Sequence, residues 1–389
     1  MSNKDFQDRY SSVMMNTFGT PKRVFTSGDG VKVRDADGKE YTDLLSGLAV
    51  LGLGHRHQGV RAAIDAQLDT LGHISNLFAS EPQIRLAERL AIALGDDTTR
   101  VFFGNSGSEA NEAAFKITRL TGRTKIVAME GSFHGRTSAA LAVTHNPKYR
   151  EPFEPLPGNV EFVPFNDVAA LEAAVDDDTA AVVLEVIQGE NGVVPGTDEF
   201  LKAARRVTNA HGALLWIDEV QTGVGRCGAL FAHQAHGLAP DLVTLSKGLG
   251  NGFPIGACLA RGRAAELFQP GQHGTTFGGN PVAAAAGNAV LDAVGDMLDH
   301  VRDTGDWLAA QITELEHPSI DHVRGRGLLR GIVLNKDIAP AINDAALDAG
   351  FVINAPRPSV LRLAPPLIIT RDDLQPFIDV LPELLERHG

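Results

Sequence analysis

The sequence predicts an α/β fold: a mostly parallel sheet of seven strands covered by helices on both faces, beside a smaller α+β unit drawn from both ends of the chain. Three observations lead there. Short β-rich runs alternate with helix-length segments through the middle of the chain, as in a parallel sheet with crossover helices. The two ends break that alternation. And 389 residues exceed the range over which a single core usually grows, so two domains around a shared cleft are expected.

Taken in chain order, residues 31–45 read as a small hairpin around Asp37-Gly38, a dipeptide suited to tight turns. The runs at 100–104, 125–129, 160–163, 180–186, 214–218, 242–245 and 257–260 read as the seven strands, with helices over 108–119, 168–175 and 200–210. Ligands of such sheets bind at the carboxyl ends of the strands. From about residue 292 come long helical patterns, a strand pair around Gly331-Ile332-Val333-Leu334 and a final helix over 374–387. The expected boundaries are 1–50 and 292–389 for the small domain and 51–291 for the large one.

Composition narrows the function. Acidic residues outnumber basic ones, 48 to 35, for a formal net charge of −13. Such a chain repels nucleic-acid phosphates and anionic membrane surfaces, while local arginines leave small anionic substrates accessible. Cys227 and Cys258 provide neither a disulfide framework nor a metal cluster, as expected for a reducing, cytoplasmic setting. Met1 to Tyr10 contain Asp5 and Asp8 with no apolar core to follow, unlike a secretory signal, and no apolar run reaches transmembrane length. His55 and His57, two apart in a loop without cysteine company, read as local hydrogen-bonding residues, so no metal is expected.

Three strand-end features carry the chemistry. Lys247 follows Leu242-Val243-Thr244-Leu245-Ser246 and opens into Gly248-Leu249-Gly250-Asn251-Gly252. A lysine desolvated there favours the neutral amine, which attacks an aldehyde to form an imine; the bland alternative is a surface lysine after a strand. Gly104-Asn105-Ser106-Gly107-Ser108-Glu109 follows a strand and opens a helix. The free amides of Gly107 and Ser108, the serine hydroxyl and the helix dipole make an anion site, compatible with N-capping by Ser106 or Ser108. Leu214-Leu215-Trp216-Ile217 delivers Asp218 to a strand end, where a buried carboxylate needs a cationic or hydrogen-bonding partner. A protonated pyridine nitrogen is such a partner. Asp218-Glu219 also resembles a Walker B ending, but the chain has no G-x-x-x-x-G-K-[ST] loop. Phe133 could stack on the ring's other face, although an isolated phenylalanine usually packs in a core. Together these features point at one ligand with a phosphate, an aromatic cation and an aldehyde.

A rival is Gly223-Val224-Gly225-Arg226-Cys227-Gly228, which satisfies G-x-G-x-x-G and would mark an NAD-dependent dehydrogenase. That fingerprint should follow its strand at once, yet Glu219 to Thr222 intervene after Asp218.

The segments Asn105-Ser106-Gly107-Ser108-Glu109-Ala110-Asn111-Glu112, Phe133-His134-Gly135-Arg136, Gln188-Gly189-Glu190, Ile217-Asp218-Glu219-Val220-Gln221-Thr222-Gly223, Ser246-Lys247 and Thr275-Thr276-Phe277-Gly278-Gly279-Asn280-Pro281 resemble, in wording and order, the class III aminotransferases of fold type I. The resemblance runs from about Phe25 to the end. It implies pyridoxal 5'-phosphate as cofactor, with Lys247 bonded to its aldehyde and moving the proton, Asp218 pairing with the ring nitrogen, and Phe133 on the ring. It further implies that Val220 and Gln221 flank the ring and that Gly107 and Ser108 hold the phosphate. Thr276 would reach the phosphate of a neighbouring subunit, making a homodimer with shared sites. Arg136, with Thr275 nearby, would receive one substrate's α-carboxylate; Arg362 would bind that of glutamate or 2-oxoglutarate and pair with Glu190 otherwise. Softer signals, Ser75-Asn76-Leu77-Phe78, Phe133-His134-Gly135-Arg136 and Leu361-Arg362-Leu363-Ala364-Pro365-Pro366-Leu367, are most similar to members that move the δ-amino group of N2-acetylornithine to 2-oxoglutarate in arginine biosynthesis. Members acting on ornithine, 4-aminobutyrate or N-succinyl-diaminopimelate are the alternatives. The chain departs from the family in Glu185-Val186-Ile187-Gln188-Gly189-Glu190, where Pro commonly replaces Val186, and in Ser108, where Thr is frequent.

The Arg362–Glu190 pair also has a logic of its own. An enzyme that accepts a terminal amine and then an α-keto acid must offer a bidentate arginine to one and hide it from the other. Set in Val360-Leu361-Arg362-Leu363-Ala364, the arginine reads as half buried rather than as a surface ion pair.

Overall fold

Strands covered on both faces are near-continuous apolar runs, and in the computed structural model, which describes residues 1–388, seven of them form one sheet. Its order is Arg100–Gly104, Gly256–Ala260, Leu242–Leu245, Leu214–Asp218, Thr179–Glu185, Lys125–Met129 and Asn159–Val163. Gly256–Ala260 runs antiparallel to both neighbours, while the pairings from Leu242–Leu245 outward to Asn159–Val163 are parallel. All seven stand within a residue of where the alternation placed them. Every residue of Thr179–Glu185 and of Leu214–Asp218 is buried, which accounts for their unbroken apolar character.

The crossover helices begin and end where local chemistry dictates. Ser106 caps Gly107–Arg119 by accepting from the Glu109 amide at 3.2 Å, with Glu109 in the first turn and Lys116 and Arg119 in the last. Asp198–His211 starts two residues earlier than its apolar pattern because Thr197 caps it, accepting from the Phe200 amide; Gly212 ends it in the left-handed conformation.

Register then sets the site. Asp218 lies level with Thr244 on one neighbouring strand and with Glu185 on the other. Lys247 follows the same row by two residues beyond Leu245 and has a φ of +40°, a left-handed conformation that a non-glycine residue adopts only under constraint.

At the ends of the chain, Phe25–Asp29, Lys32–Asp35 and Glu40–Asp43 form an antiparallel meander, and Phe351–Val352 adds to it parallel to Glu40–Asp43. Both ends therefore share a sheet. The strand before the expected hairpin has no apolar run; Phe25 holds it by packing edge-on against Tyr41, ring centroids 5.3 Å apart. The strand pair around Gly331 is part of a four-stranded sheet ordered Ile320–Arg326, Leu329–Leu334, Val360–Leu363 and Asn354–Arg357. The last helix, Arg371–His388, starts earlier than its apolar pattern because Thr370 and Asp373 exchange side-chain-to-amide hydrogen bonds across its first turn.

His55 bonds Asp43 Oδ2 through Nε2 at 2.8 Å, and His57 Nδ1 accepts from the Val60 amide to cap Gln58–Leu68. Among the described residues no cluster of acidic, cysteine or histidine side chains could hold a metal, and no helix is long and apolar enough to cross a membrane. Burial pushes the thiols of Cys227 and Cys258 up to about 12, so neither is a thiolate near neutrality.

Gly256 faces Gly104 in register, and a Cβ there would overlap the carbonyl oxygen of Ser106 in the turn that opens the helix Gly107–Arg119. Gly256→Ala is expected to destabilise the protein by about 2 kcal/mol through overpacking. A urea midpoint equal to the wild type's would show that the turn yields freely.

Candidate active site

The carboxyl ends of the strands open onto a cavity of about 180 Å³ lined by Ser106, Gly107, Ser108, Phe133, His134, Gly135, Glu185, Glu190, Asp218, Val220, Gln221, Ser246 and Lys247. Eight of the residues expected from the sequence thus meet here: Gly107, Ser108, Phe133, Glu190, Asp218, Val220, Gln221 and Lys247. They come from separate strand ends, which is how a parallel sheet gathers distant residues.

Asp218 is 3% exposed, and its burial is compensated by three donors. Its Oδ2 accepts from Asn111 Nδ2 at 2.9 Å and pairs with His134 Nδ1 at 2.7 Å; its Oδ1 accepts from the Val220 amide at 2.9 Å. Burial opposes a charge on His134, but the hydrogen bond and charge of Asp218, with Glu185 behind, hold the imidazole pKa above its ordinary value. Neither Asn111 nor His134 was singled out from the sequence. Both lie inside motifs quoted above, and the requirement that a buried carboxylate find donors was the signal for them.

Lys247 shows part of its surface to the cavity, and protein surrounds the rest. Desolvation foremost lowers its pKa; Arg362 reinforces this, while Glu190, Asp218 and Glu185 oppose it. The amine is therefore neutral more often than an exposed lysine at the same pH.

At the head of the helix Gly107–Arg119, the amides of Gly107 and Ser108 have no carbonyl ahead of them in the helix, and Ser108 Oγ faces the Arg136 amide at 3.4 Å. The turn leaves no room for side chains: a Cβ on Gly107 would lie 2.8 Å from Val220 Cγ1. Free amides and a hydroxyl suit a phosphate, Phe133 and Val220 are apolar walls for a flat ring, Asp218 suits a ring cation, and Lys247 suits an aldehyde. The donor set fits a pyridoxal phosphate.

A second set of groups adjoins the first. Arg362, 1% exposed, bonds Glu190 Oε1 through Nη1 at 2.6 Å, reaches Gln221 Oε1 at 3.4 Å and bonds Asn354 Oδ1 through Nη2 at 2.8 Å. Burial would raise the Glu190 carboxyl, but the charge and hydrogen bond of Arg362, with Lys247 beyond, hold it below the ordinary range. Asn354 belongs to no motif and gave no signal in the sequence.

Arg136 is exposed, its guanidinium 3.6 Å above the Tyr149 ring and 5.7 Å from that of Phe133. Thr275 Oγ1 accepts from Asn105 Nδ2 at 3.3 Å, tying its segment to the turn before the helix Gly107–Arg119, whereas Thr276 is exposed and lies outside this cavity's lining. The G-x-G-x-x-G stretch forms turns rather than opening a helix, and its Arg226 is buried with Nη1 on the Leu328 carbonyl at 3.0 Å. It makes no dinucleotide site.

Comparison with known proteins places this geometry. The family model described as aminotransferase class-III matches residues 14–385. The chain is 60% identical over 382 residues to the acetylornithine aminotransferase of Mycolicibacterium smegmatis, covering 98% of each, and 57% identical over 383 residues to that of Mycobacterium leprae, covering 98% of this chain and 95% of the other. Among solved structures, an ornithine aminotransferase from Toxoplasma gondii, with pyridoxal phosphate partially occupying its active site, superposes with a TM-score of 0.94 at 30% identity over 100% of this chain and 96% of that one. The N-acetylornithine aminotransferase of Stenotrophomonas maltophilia gives 0.84 at 37% identity over 98% of each.

The Asp218–His134 pair generates a pH signature. Because the folded-state pKa of His134 is raised, its contribution to stability is complete below the unfolded value of roughly 6.5 and is lost as pH rises through the folded value. His134→Gln is expected to be less stable than the wild type by about 2 kcal/mol near pH 6, with the deficit shrinking toward pH 9. Equal deficits in urea denaturation at both pH values would show that the imidazole charge is not what Asp218 needs.

Proposed function

The chain belongs to the class-III aminotransferases, and from that premise we propose that it uses pyridoxal phosphate to move the δ-amino group of N2-acetylornithine to 2-oxoglutarate. The observation that carries this reading is the buried Arg362, ion-paired to Glu190 beside Lys247 and Asp218. A masked arginine is what alternation between a terminal amine and a dicarboxylic keto acid requires.

When bound, pyridoxal phosphate supplies a reactive aldehyde and a cationic ring that draws electron density from the neighbouring carbon. The rest falls to the protein. The Gly107 and Ser108 amides and the Ser108 hydroxyl would hold the phosphate. Asp218, itself fixed by Asn111 and His134, would stabilise the charge of the ring nitrogen, and Phe133 and Val220 would line the ring. Lys247 Nζ, made less basic by burial, takes the proton from the substrate carbon and returns it on the other side of the transfer.

Substrate choice falls to the two arginines. Arg136, steadied on Tyr149, receives the α-carboxylate of the amino donor while Glu190 covers Arg362. For 2-oxoglutarate, Glu190 swings aside and Arg362 offers its fork to a carboxylate.

The homodimer belongs to the same reading. Asn76 Nδ2 bonds the carbonyls of Thr275 and Gly278, so exposed Leu77 and Phe78 sit beside exposed Thr276 and Phe277. An apolar patch of this kind calls for a partner, and a second copy seated there would bring Thr276 toward the neighbour's phosphate. The acidic, two-cysteine chain is taken to work in the cytoplasm.

Two variants test these roles. Lys247→Ala should lose the yellow chromophore and fall in turnover by a factor on the order of a thousand or more; a fully active variant would defeat the assignment. Arg136→Ala should raise KM for acetylornithine by about a hundredfold, as for a lost charged hydrogen-bond pair, while sparing 2-oxoglutarate. Equal losses for both substrates would refute the division between Arg136 and Arg362. Offering acetylornithine, ornithine, 4-aminobutyrate and succinyl-diaminopimelate singly and following cofactor bleaching identifies the donor directly.

A further inference from the structure

Glu185 has no role in the reading above, yet it lines the cavity at 6% exposure, level with Asp218 on the adjacent strand. Its two carboxyl oxygens face two different loops. Oε1 accepts from the Phe133 amide at 3.0 Å, and Oε2 accepts from the Gly189 amide at 3.4 Å. The first loop supplies the apolar wall; the second leads directly into Glu190, the residue over Arg362. Resting on the aminotransferase reading, we propose that Glu185 is a positioning residue that, as a carboxylate, ties the Phe133 wall to the Glu190 gate, making cofactor seating and gate position depend on one side chain.

The tie needs the ionised form. A carboxylate offers acceptor lone pairs on both oxygens, whereas a protonated carboxyl turns one oxygen into an O–H donor that cannot serve an amide N–H in the same way. On protonation one of the two amides, Phe133 or Gly189, loses its carboxylate acceptor, and the two loops are no longer held to one another. The charged groups facing Glu185 are His134, Asp218 and Lys247. Burial foremost, with Asp218 adding, pushes its carboxyl up to about 7, against the pull of His134, the Phe133 amide and Lys247. The ionised form, and with it the tie, is present above that value and lost as pH falls through it. Gly189 itself lies against the amide end of the Gln221 side chain.

Glu185→Gln preserves size and leaves a single acceptor oxygen. The test compares it with the wild type between about pH 6 and about pH 8.5, reading the pyridoxal phosphate dissociation constant of cofactor-stripped protein and the deuterium exchange of peptides spanning 131–136 and 187–192. Near pH 8 the variant should bind cofactor about tenfold more weakly, the equivalent of one hydrogen bond, with both peptides exchanging faster after correction for intrinsic rates. The wild type should converge on the variant near pH 6. Equal affinity and equal exchange near pH 8, or wild-type protection that does not change with pH, would overturn the proposal; the wild-type exchange series decides alone if the variant does not fold. A wild type that takes up no pyridoxal phosphate would instead sink the cofactor reading itself, and this inference with it.

Discussion

A carboxylate buried at the end of an apolar strand is the constraint on which the site depends. Asp218 can remain charged in that position only if donors surround it, and the three it finds come from three parts of the chain: Asn111 on the helix Gly107–Arg119, His134 on the loop after Met129, and the Val220 amide in the turn that follows. Satisfying Asp218 therefore draws the head of the helix Gly107–Arg119, the loop carrying Phe133 and the turn carrying Gln221 onto one point. The close approach of Gly107 to Val220 is a product of the same convergence.

The second organising element is a chain of charges that share one low-dielectric space. Arg362 is held by Glu190, Gln221 and Asn354 on a strand whose other residues are apolar and buried. Glu190 stabilises charge on Lys247, and Arg362 destabilises it. Moving Glu190 therefore does two things at once: it uncovers the arginine and changes the field at the Lys247 amine. The coupling follows from proximity under weak screening.

Much of the fold was legible because its signals are local. Continuous apolar runs marked the seven strands to within a residue, since a strand covered on both faces tolerates little else. Helix starts were less legible: Asp198–His211 and Arg371–His388 both begin before their apolar pattern, because Thr197 and Thr370 cap them and a cap leaves no trace in periodicity. The strand Phe25–Asp29 was missed for a related reason, having no apolar face of its own and relying on Tyr41. Among the site residues, Lys247, Asp218, Glu190 and Arg362 were legible in their motifs, whereas Asn111, His134, Asn354 and the role of Glu185 were not, being defined by partners rather than by neighbours in sequence.

By itself the sequence determined the class of chemistry: an amine, a carboxylate and a glycine-serine turn opening a helix, each at the end of its own strand, are properties of short segments that periodicity and capping rules can read. Only the tertiary structure decided how those groups are satisfied. Asn111 and Asp218 are 107 residues apart, His134 and Asp218 84, and Glu190 and Arg362 172. Contacts over such distances are set by sheet register and by the docking of the strand Val360–Leu363 against the cavity, and a shift of one residue in either strand would turn Asp218 or Arg362 to the opposite face.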